Sequence, residues 1–196
     1  MTCTETPLPG VLILEPRVFE DSRGLFFESH NARAFAQLGI DTVFVQDNHS
    51  VSSRNVVRGL HFQRAPHTQA KLVRVIVGEA WDVVVDLRMG SPTFRHWHGI
   101  TLSAENRRML YLPKGLAHGF CARTDTVEFL YKCDDFYASE SAGGLRWNDP
   151  QIGIDWPVEE PVLSDQDRIL PLLEDLPELF SYHNWRNVLR KRDCAT

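Results

Sequence analysis

Four cysteines, Cys3, Cys121, Cys133 and Cys194, are spread over 196 residues, and none forms a C-x-x-C pair. That scarcity excludes a disulfide scaffold and the usual zinc and thioredoxin-like patterns, and the four are read as reduced thiols. Long hydrophobic runs are missing too. Stretches such as Val83–Val85 are far short of the roughly 20 apolar residues needed to span a bilayer. The first residues carry neither a basic segment nor an apolar one, so no secretory leader is read and the protein is expected to be soluble and cytoplasmic. Basic residues are also too few for a general nucleic-acid binder, with 21 Lys+Arg against 26 Asp+Glu and a net charge of -5. A small anionic ligand stays possible, because a few arginines suffice for a local positive pocket. No G-x-G-x-x-G or G-x-S-x-G string occurs, which leaves nicotinamide, ATP and hydrolase-elbow readings unsupported.

What the chain does contain is 43% hydrophobic residues with five Trp and eleven Phe, enough for one sizeable core. Short β-branched or aromatic runs alternate with turn residues throughout. Strands are predicted over Val11–Leu14, Leu25–Ser29, Asp41–Asn48, Val56–Gln63, Leu72–Val77, Trp81–Arg88, Trp97–Leu102, Arg108–Leu112, Gly119–Arg123 and Val127–Cys133. Turn signals lie between them, among them Asp21-Ser-Arg-Gly24 and Met89-Gly-Ser-Pro92. Two helices are predicted. One covers Ala32–Leu38 with Asn31 as its cap and Gly39 as its stop; the other is terminal, on Tyr182, Trp185, Val188 and Leu189. Between Asn148 and Pro177 repeated prolines predict a segment that wraps over the sheets instead of joining them. Two helices cannot supply crossovers for a parallel sheet. The fold class is therefore all-β, an antiparallel jelly-roll barrel with a few short peripheral helices, in one domain covering 1–196.

Alternation then sorts the polar residues. Tyr131 shares a face with Val127, Phe129 and Cys133 and is placed inside the barrel, as a core tyrosine or a functional one. Asp82, Val84, Asp86 and Arg88 share another face, which is either solvated or a lumen holding a buried carboxylate. Arg58-Gly-Leu-His-Phe-Gln63 puts His61 on a strand, and pairing across the loop to the next strand would bring Lys71 into the same pocket. His96 and His98 lie on one face at a chelating spacing, but no His-x-His plus Glu cluster accompanies His61, and metal is not assigned.

In order along the chain stand Asp21-Ser-Arg-Gly-Leu-Phe-Phe-Glu28, Gln46-Asp-Asn48, Arg58-Gly-Leu-His-Phe-Gln63, Gln69-Ala-Lys-Leu-Val73 and Asp82-Val-Val-Val-Asp-Leu-Arg88. Then come Pro113-Lys-Gly-Leu-Ala-His-Gly-Phe120, Tyr131-Lys132, Trp147-Asn-Asp-Pro150 and Leu163-Ser-Asp-Gln-Asp167. Together these strings resemble the dTDP-4-dehydrorhamnose 3,5-epimerases, cupin-like enzymes of deoxysugar biosynthesis, over residues from about 10 to 173; the tail 177–196 lies outside the match. The resemblance implies a dTDP-4-keto-6-deoxyhexose substrate, no metal and no organic cofactor, and a homodimer with shared active sites. It implies His61 as proton acceptor, Tyr131 as proton donor, Asp167 as the carboxylate orienting the histidine and Lys71 as the cation beside the keto oxygen. His118 would lie near the sugar. Arg23, Glu28, Gln46, Asn48 and Arg58 would hold the nucleotide diphosphate, the first two from the other subunit, and Tyr137 would stack on thymine. The chain departs from the family where Ser139 stands for a proline and Ala142 for a glutamate; that contact is either lost or supplied by Glu140, which leaves the exact sugar and the regiochemistry open. A mono-epimerase, a metal-dependent cupin enzyme and a non-catalytic sugar-nucleotide binder are the other readings.

Overall fold

The structure is a computed structural model and describes residues 1–177 and 180–182. In chain order the strands are β1 Thr2–Glu5, β2 Leu12–Glu15, β3 Phe19–Asp21, β4 Gly24–Phe26, β5 Gln46–Ser53, β6 Val57–Gln63, β7 Lys71–Val77 and β8 Glu79–Asp86. They continue as β9 Arg88–Met89, β10 Trp97–Ser103, β11 Met109–Leu112, β12 Leu116–Ala122, β13 Thr126–Cys133, β14 Ala142–Gly144 and β15 Phe180–Ser181. Two short helices, α1 Ala32–Gln37 and α2 Asp165–Arg168, complete the regular elements with one 3-10 turn at Leu173–Asp175.

Two antiparallel sheets face each other, in strand orders β1-β2-β11-β7-β13-β5 and β10-β8-β12-β6-β14. Between them pack Val73, Val75, Leu110, Leu112, Val127 and Phe129 from the first sheet and Val84, Ile100, Leu102, Phe120 and Ala122 from the second. The all-β, cupin-like prediction holds. The period of two explains why both outer faces are also closed. Val83 and Val85, the alternates of Val84, point outward and are covered by Leu145, Ile152, Trp156 and Leu173 of the segment after β14. This is the predicted wrap, tied on by a bridge from Val56 to Val162. Leu12, Leu14, Leu72 and Met109 are covered in turn by Phe35 of α1 and by Ile40. Asn31 caps α1 as expected, accepting from the backbone N–H groups of Arg33 and Ala34, and Gly39 ends it at φ +77°.

Several boundaries differ from the prediction. Residues 41–45 are not a strand; Phe44 packs beneath α1, and β5 begins at Gln46 and runs on to Ser53. The strand expected over Leu25–Ser29 ends at Phe26, because it is one arm of a hairpin with Phe19–Asp21 around the Asp21–Gly24 turn. The terminal helix prediction lies, beyond Tyr182, outside the described residues. At one end of the barrel Asp86 and Arg88 form a buried pair, with Arg88 Nε and Nη2 each donating to the carboxylate at 2.8 Å. Arg88 also donates to the Pro9 carbonyl and lies beneath the Tyr182 ring.

Candidate active site

His61, Arg58, Lys71, His118 and Tyr131 line one cavity of about 140 Å³ inside the barrel, together with Ser50, Phe120 and Phe129. Phe120 and Phe129 come from opposite sheets and stack with ring centroids 4.2 Å apart, forming an apolar floor between the polar groups. Arg58 and His61 are three residues apart and would point to opposite faces of a regular strand. A bulge brings them to one side. His118 is paired with His61 and Phe120 with Arg58, so Gly59 and Leu60 together oppose Gly119. Gly59 has φ +116°, and a Cβ there would lie 2.7 Å from the His118 carbonyl oxygen and 2.8 Å from Gly119 Cα. Gly59→Ala is therefore expected to lose about 1–3 kcal/mol from backbone strain alone. Denaturant melts measure that loss, and a parallel fall in turnover would report His61 displaced.

Lys71 reaches the cavity by a route other than the one predicted. It does not pair with the His61 strand: β6 and β7 belong to different sheets, and the two side chains meet across the barrel interior. Its ammonium lies 5.8 Å from the centroid of the Tyr131 ring and has no hydrogen-bonded or salt-bridged partner among the described residues. Burial lowers its pKa, opposed by Cys133 and Asp82. The Tyr131 hydroxyl is pushed the other way, upward, first by burial and then by Cys133, against the pull of Arg58. It holds its proton at neutral pH and has one to give.

Behind His61 stands Asp167. The imidazole Nε2 is 2.6 Å from its Oδ1, with the histidine side chain 45% exposed and the carboxylate 5%. Only the histidine can meet a substrate. Burial raises the Asp167 pKa, but the hydrogen bond and charge of His61, with donors at Ser164 and the Gly59 backbone, outweigh it and hold the carboxyl below its ordinary value. Ser164 makes this local geometry: it caps α2 and its hydroxyl accepts from the Asp167 N–H at 3.0 Å.

Gln46 and Asn48 hold one another at 3.1 Å on the inner face of β5, and Gln46 accepts from the Tyr137 N–H. Tyr137 itself is exposed. Arg23 and Glu28 are not brought to this cavity. Arg23 pairs with Asp21 at the exposed tip of the hairpin, and Glu28 accepts from Asn31 beside α1. Glu140 does not line this cavity. It is exposed and 3.9 Å from His67, while Ala142 of β14 pairs with Gln63 of β6. Sequence reasoning left Asp82 without a role, although alternation had marked its face. It is fully buried in the lumen with His118 Nε2 2.8 Å from its Oδ2. Among the described residues no three His, Cys, Asp or Glu side chains converge as metal ligands.

A histidine hydrogen-bonded to a carboxylate, a half-buried tyrosine and an unpaired lysine around one cavity fit proton transfer at a carbon beside a carbonyl. Residues 5–175 match the family model described as dTDP-4-dehydrorhamnose 3,5-epimerase. The chain belongs to that family. It is 53% identical over 176 residues to the dTDP-4-dehydrorhamnose 3,5-epimerase of Salmonella typhimurium, covering 89% of this chain and 96% of that one. A Legionella pneumophila 3,5-epimerase solved in complex with dTDP-4-keto-L-rhamnose superposes with a TM-score of 0.89 at 45% identity, covering 92% of this chain and 98% of that chain. A 3'-monoepimerase from Streptomyces bikiniensis in complex with dTDP-quinovose superposes at 0.87 with 35% identity, over 97% and 98% of the two chains. Membership makes this epimerase-family chain an isomerase by class. No helix among its described residues is long and apolar enough to cross a membrane.

Proposed function

We propose that the protein inverts C3 and C5 of dTDP-4-dehydro-6-deoxy-D-glucose to give dTDP-4-dehydro-L-rhamnose, in the cytoplasm and with no metal or organic cofactor. The observation that carries this reading is the His61–Asp167 hydrogen bond facing Tyr131 and Lys71 across one cavity. Both carbons lie next to the C4 ketone, so removing either hydrogen as a proton leaves its electron pair as a C4 enolate. His61 takes that proton, and Asp167 holds the ring and the imidazolium that forms. Lys71, unpaired and in a partly dry cavity, meets the enolate oxygen. Tyr131 lies across the interior from His61 and gives its proton to the opposite face of the same carbon, which inverts it. The imidazolium then loses its proton to solvent, and the tyrosinate regains one from it, before the second carbon reacts. The negative charge of the diphosphate goes to Arg58, whose fork suits phosphate oxygens, with Gln46, Asn48 and Tyr137 beside it for the nucleoside. His118 borders the sugar.

The active unit in this reading is a homodimer. Phe19, Leu25 and Phe26 are large apolar residues left exposed on the hairpin that also carries Arg23. A second copy that covered this hairpin would bury that apolar surface and deliver Arg23 and Glu28 to the partner's cavity.

Turnover in heavy water tests the activity. Two deuterium atoms per product, at C3 and C5, are expected by NMR or mass spectrometry. One label would make the protein a mono-epimerase, like its S. bikiniensis relative by name, and no label from a competent substrate would sink the enzymatic reading.

A further inference from the structure

Beside the His61–Asp167 pair, the lumen holds a second histidine–carboxylate pair whose surroundings differ. Asp82 on β8 faces three basic side chains. His118 on β12 contacts its Oδ2 at 2.8 Å. His98 on β10 is opposite Val84 while Ile100 is opposite Asp82, so His98 and Asp82 are diagonal neighbours on the inner face. Asp82 Oδ1 and His98 Nε2 are both buried without a hydrogen-bond partner among the described residues. Lys71 attracts the same carboxylate from the facing sheet. Of the two histidines, only His118 also lines the cavity.

We propose that Asp82 is a positioning residue for the epimerase reaction: it accepts the Nε2–H of His118 and so leaves His118 Nδ1 bare toward the sugar, as acceptor for a ring-hydroxyl hydrogen. A carboxylate oxygen that accepts from Nε2–H fixes the tautomer from behind. Burial wins at Asp82 and raises its pKa against the opposing pull of His118, Lys71 and His98; the acceptor role rests on the 2.8 Å contact of its Oδ2 with His118 Nε2. The division of labour follows. Lys71 offers the cavity a donor for the ketone oxygen, and His118 offers an acceptor that a ketone cannot use. A ring position without a hydroxyl leaves Nδ1 unsatisfied, and such sites discriminate strongly against the deoxy analogue.

This rests on the proposed substrate only for the identity of the sugar; the tautomer is independent of it. Full-length protein labelled with 15N-histidine, observed through two-bond 1H–15N couplings, reads the tautomer directly. The expected result is Nε2–H for His118 in the wild type and a shift toward Nδ1–H in Asp82→Asn. An Nδ1–H or doubly protonated His118 in the wild type overturns the proposal, and that spectrum decides even if Asp82→Asn does not fold. For the folded variant, kcat/KM is compared for the substrate and its 2-deoxy and 3-deoxy analogues. Discrimination against at least one analogue should fall tenfold or more in Asp82→Asn; equal discrimination in both proteins, or none in the wild type, overturns the proposal. Absence of deuterium exchange into the intact substrate would instead remove the substrate reading and leave the tautomer result standing.

Discussion

His61→Ala is expected to lower deuterium exchange at both C3 and C5 by about 10²–10⁴-fold, the range a positioned general base contributes. One imidazole serves both carbons in the proposed mechanism, so the two losses should be of similar size. Binding of dTDP, measured by calorimetry, should change little, because Arg58, Gln46 and Asn48 do not depend on the imidazole for their contacts. Exchange surviving at the wild-type rate would remove His61 from the role of base. Loss at one carbon alone would require a second base, and His118 is the other imidazole lining the cavity. Asp167 should stay folded in this variant: Ser164 and the Gly59 backbone still hold it, although its carboxylate loses its strongest partner.

The largest loss of stability is expected from Asp86→Ala, at about 3–5 kcal/mol, the usual result of removing one partner of a buried ion pair. Asp86 and Arg88 are both almost wholly buried, and the carboxylate also takes the hydroxyls of Ser91 and Thr93 at 2.6 and 2.7 Å. Without it, the guanidinium keeps the Pro9 carbonyl and the Tyr182 ring but no counter-charge. For a chain of this length the loss corresponds to a fall in Tm on the order of 10 °C, which calorimetry or a thermal melt would show. A wild-type melt would mean that water reaches Arg88. Burial raises the Asp86 pKa, but Arg88, Ser91 and Thr93 outweigh it and hold the carboxyl below its ordinary value. A depressed carboxyl stabilises the fold above its unfolded pKa of about 4, and that share is lost as pH falls through the lower native value. Asp167 adds a contribution of the same sign. Acid denaturation of the wild type should therefore begin below about pH 4, and Asp86→Ala should show a shallower dependence.

The strands whose two faces differ in polarity were legible from the residues alone. Val127–Cys133 is the clearest, since its alternation placed Tyr131 inward before any fold was known. β5 was harder because its inner face carries Gln46, Asn48, Ser50 and Ser52, so the predicted strand stops at Asn48 and misses the rest of β5 up to Ser53. The cavity that needs those polar groups is what hid them. Conversely, Val43, Phe44 and Val45 look like a strand, yet only Phe44 packs against the core, while both valines are exposed. Nothing short of the paired sheets could reveal the bulge. Gly59 is one glycine among twelve, and its φ of +116° acquires meaning only beside the His118 carbonyl. The roles of His61, Lys71, Tyr131 and Asp167 came from a resemblance, while their convergence came from the barrel. Lys71 was expected from a neighbouring strand and arrives from the opposite sheet.

The hydrogen bond between His61 and Asp167 joins residues 106 positions apart. Closing so long a segment carries a chain-entropy cost that no local turn can offset, and sheets built on such distant pairings form slowly. The base and its orienting carboxylate therefore meet only after β6 is seated between β12 and β14 and the wrap has returned across the outer face. A partly folded chain can bury apolar surface and hydrogen-bond its hairpins while having no competent base. Recovery of turnover during refolding would then be a stricter clock than recovery of secondary structure.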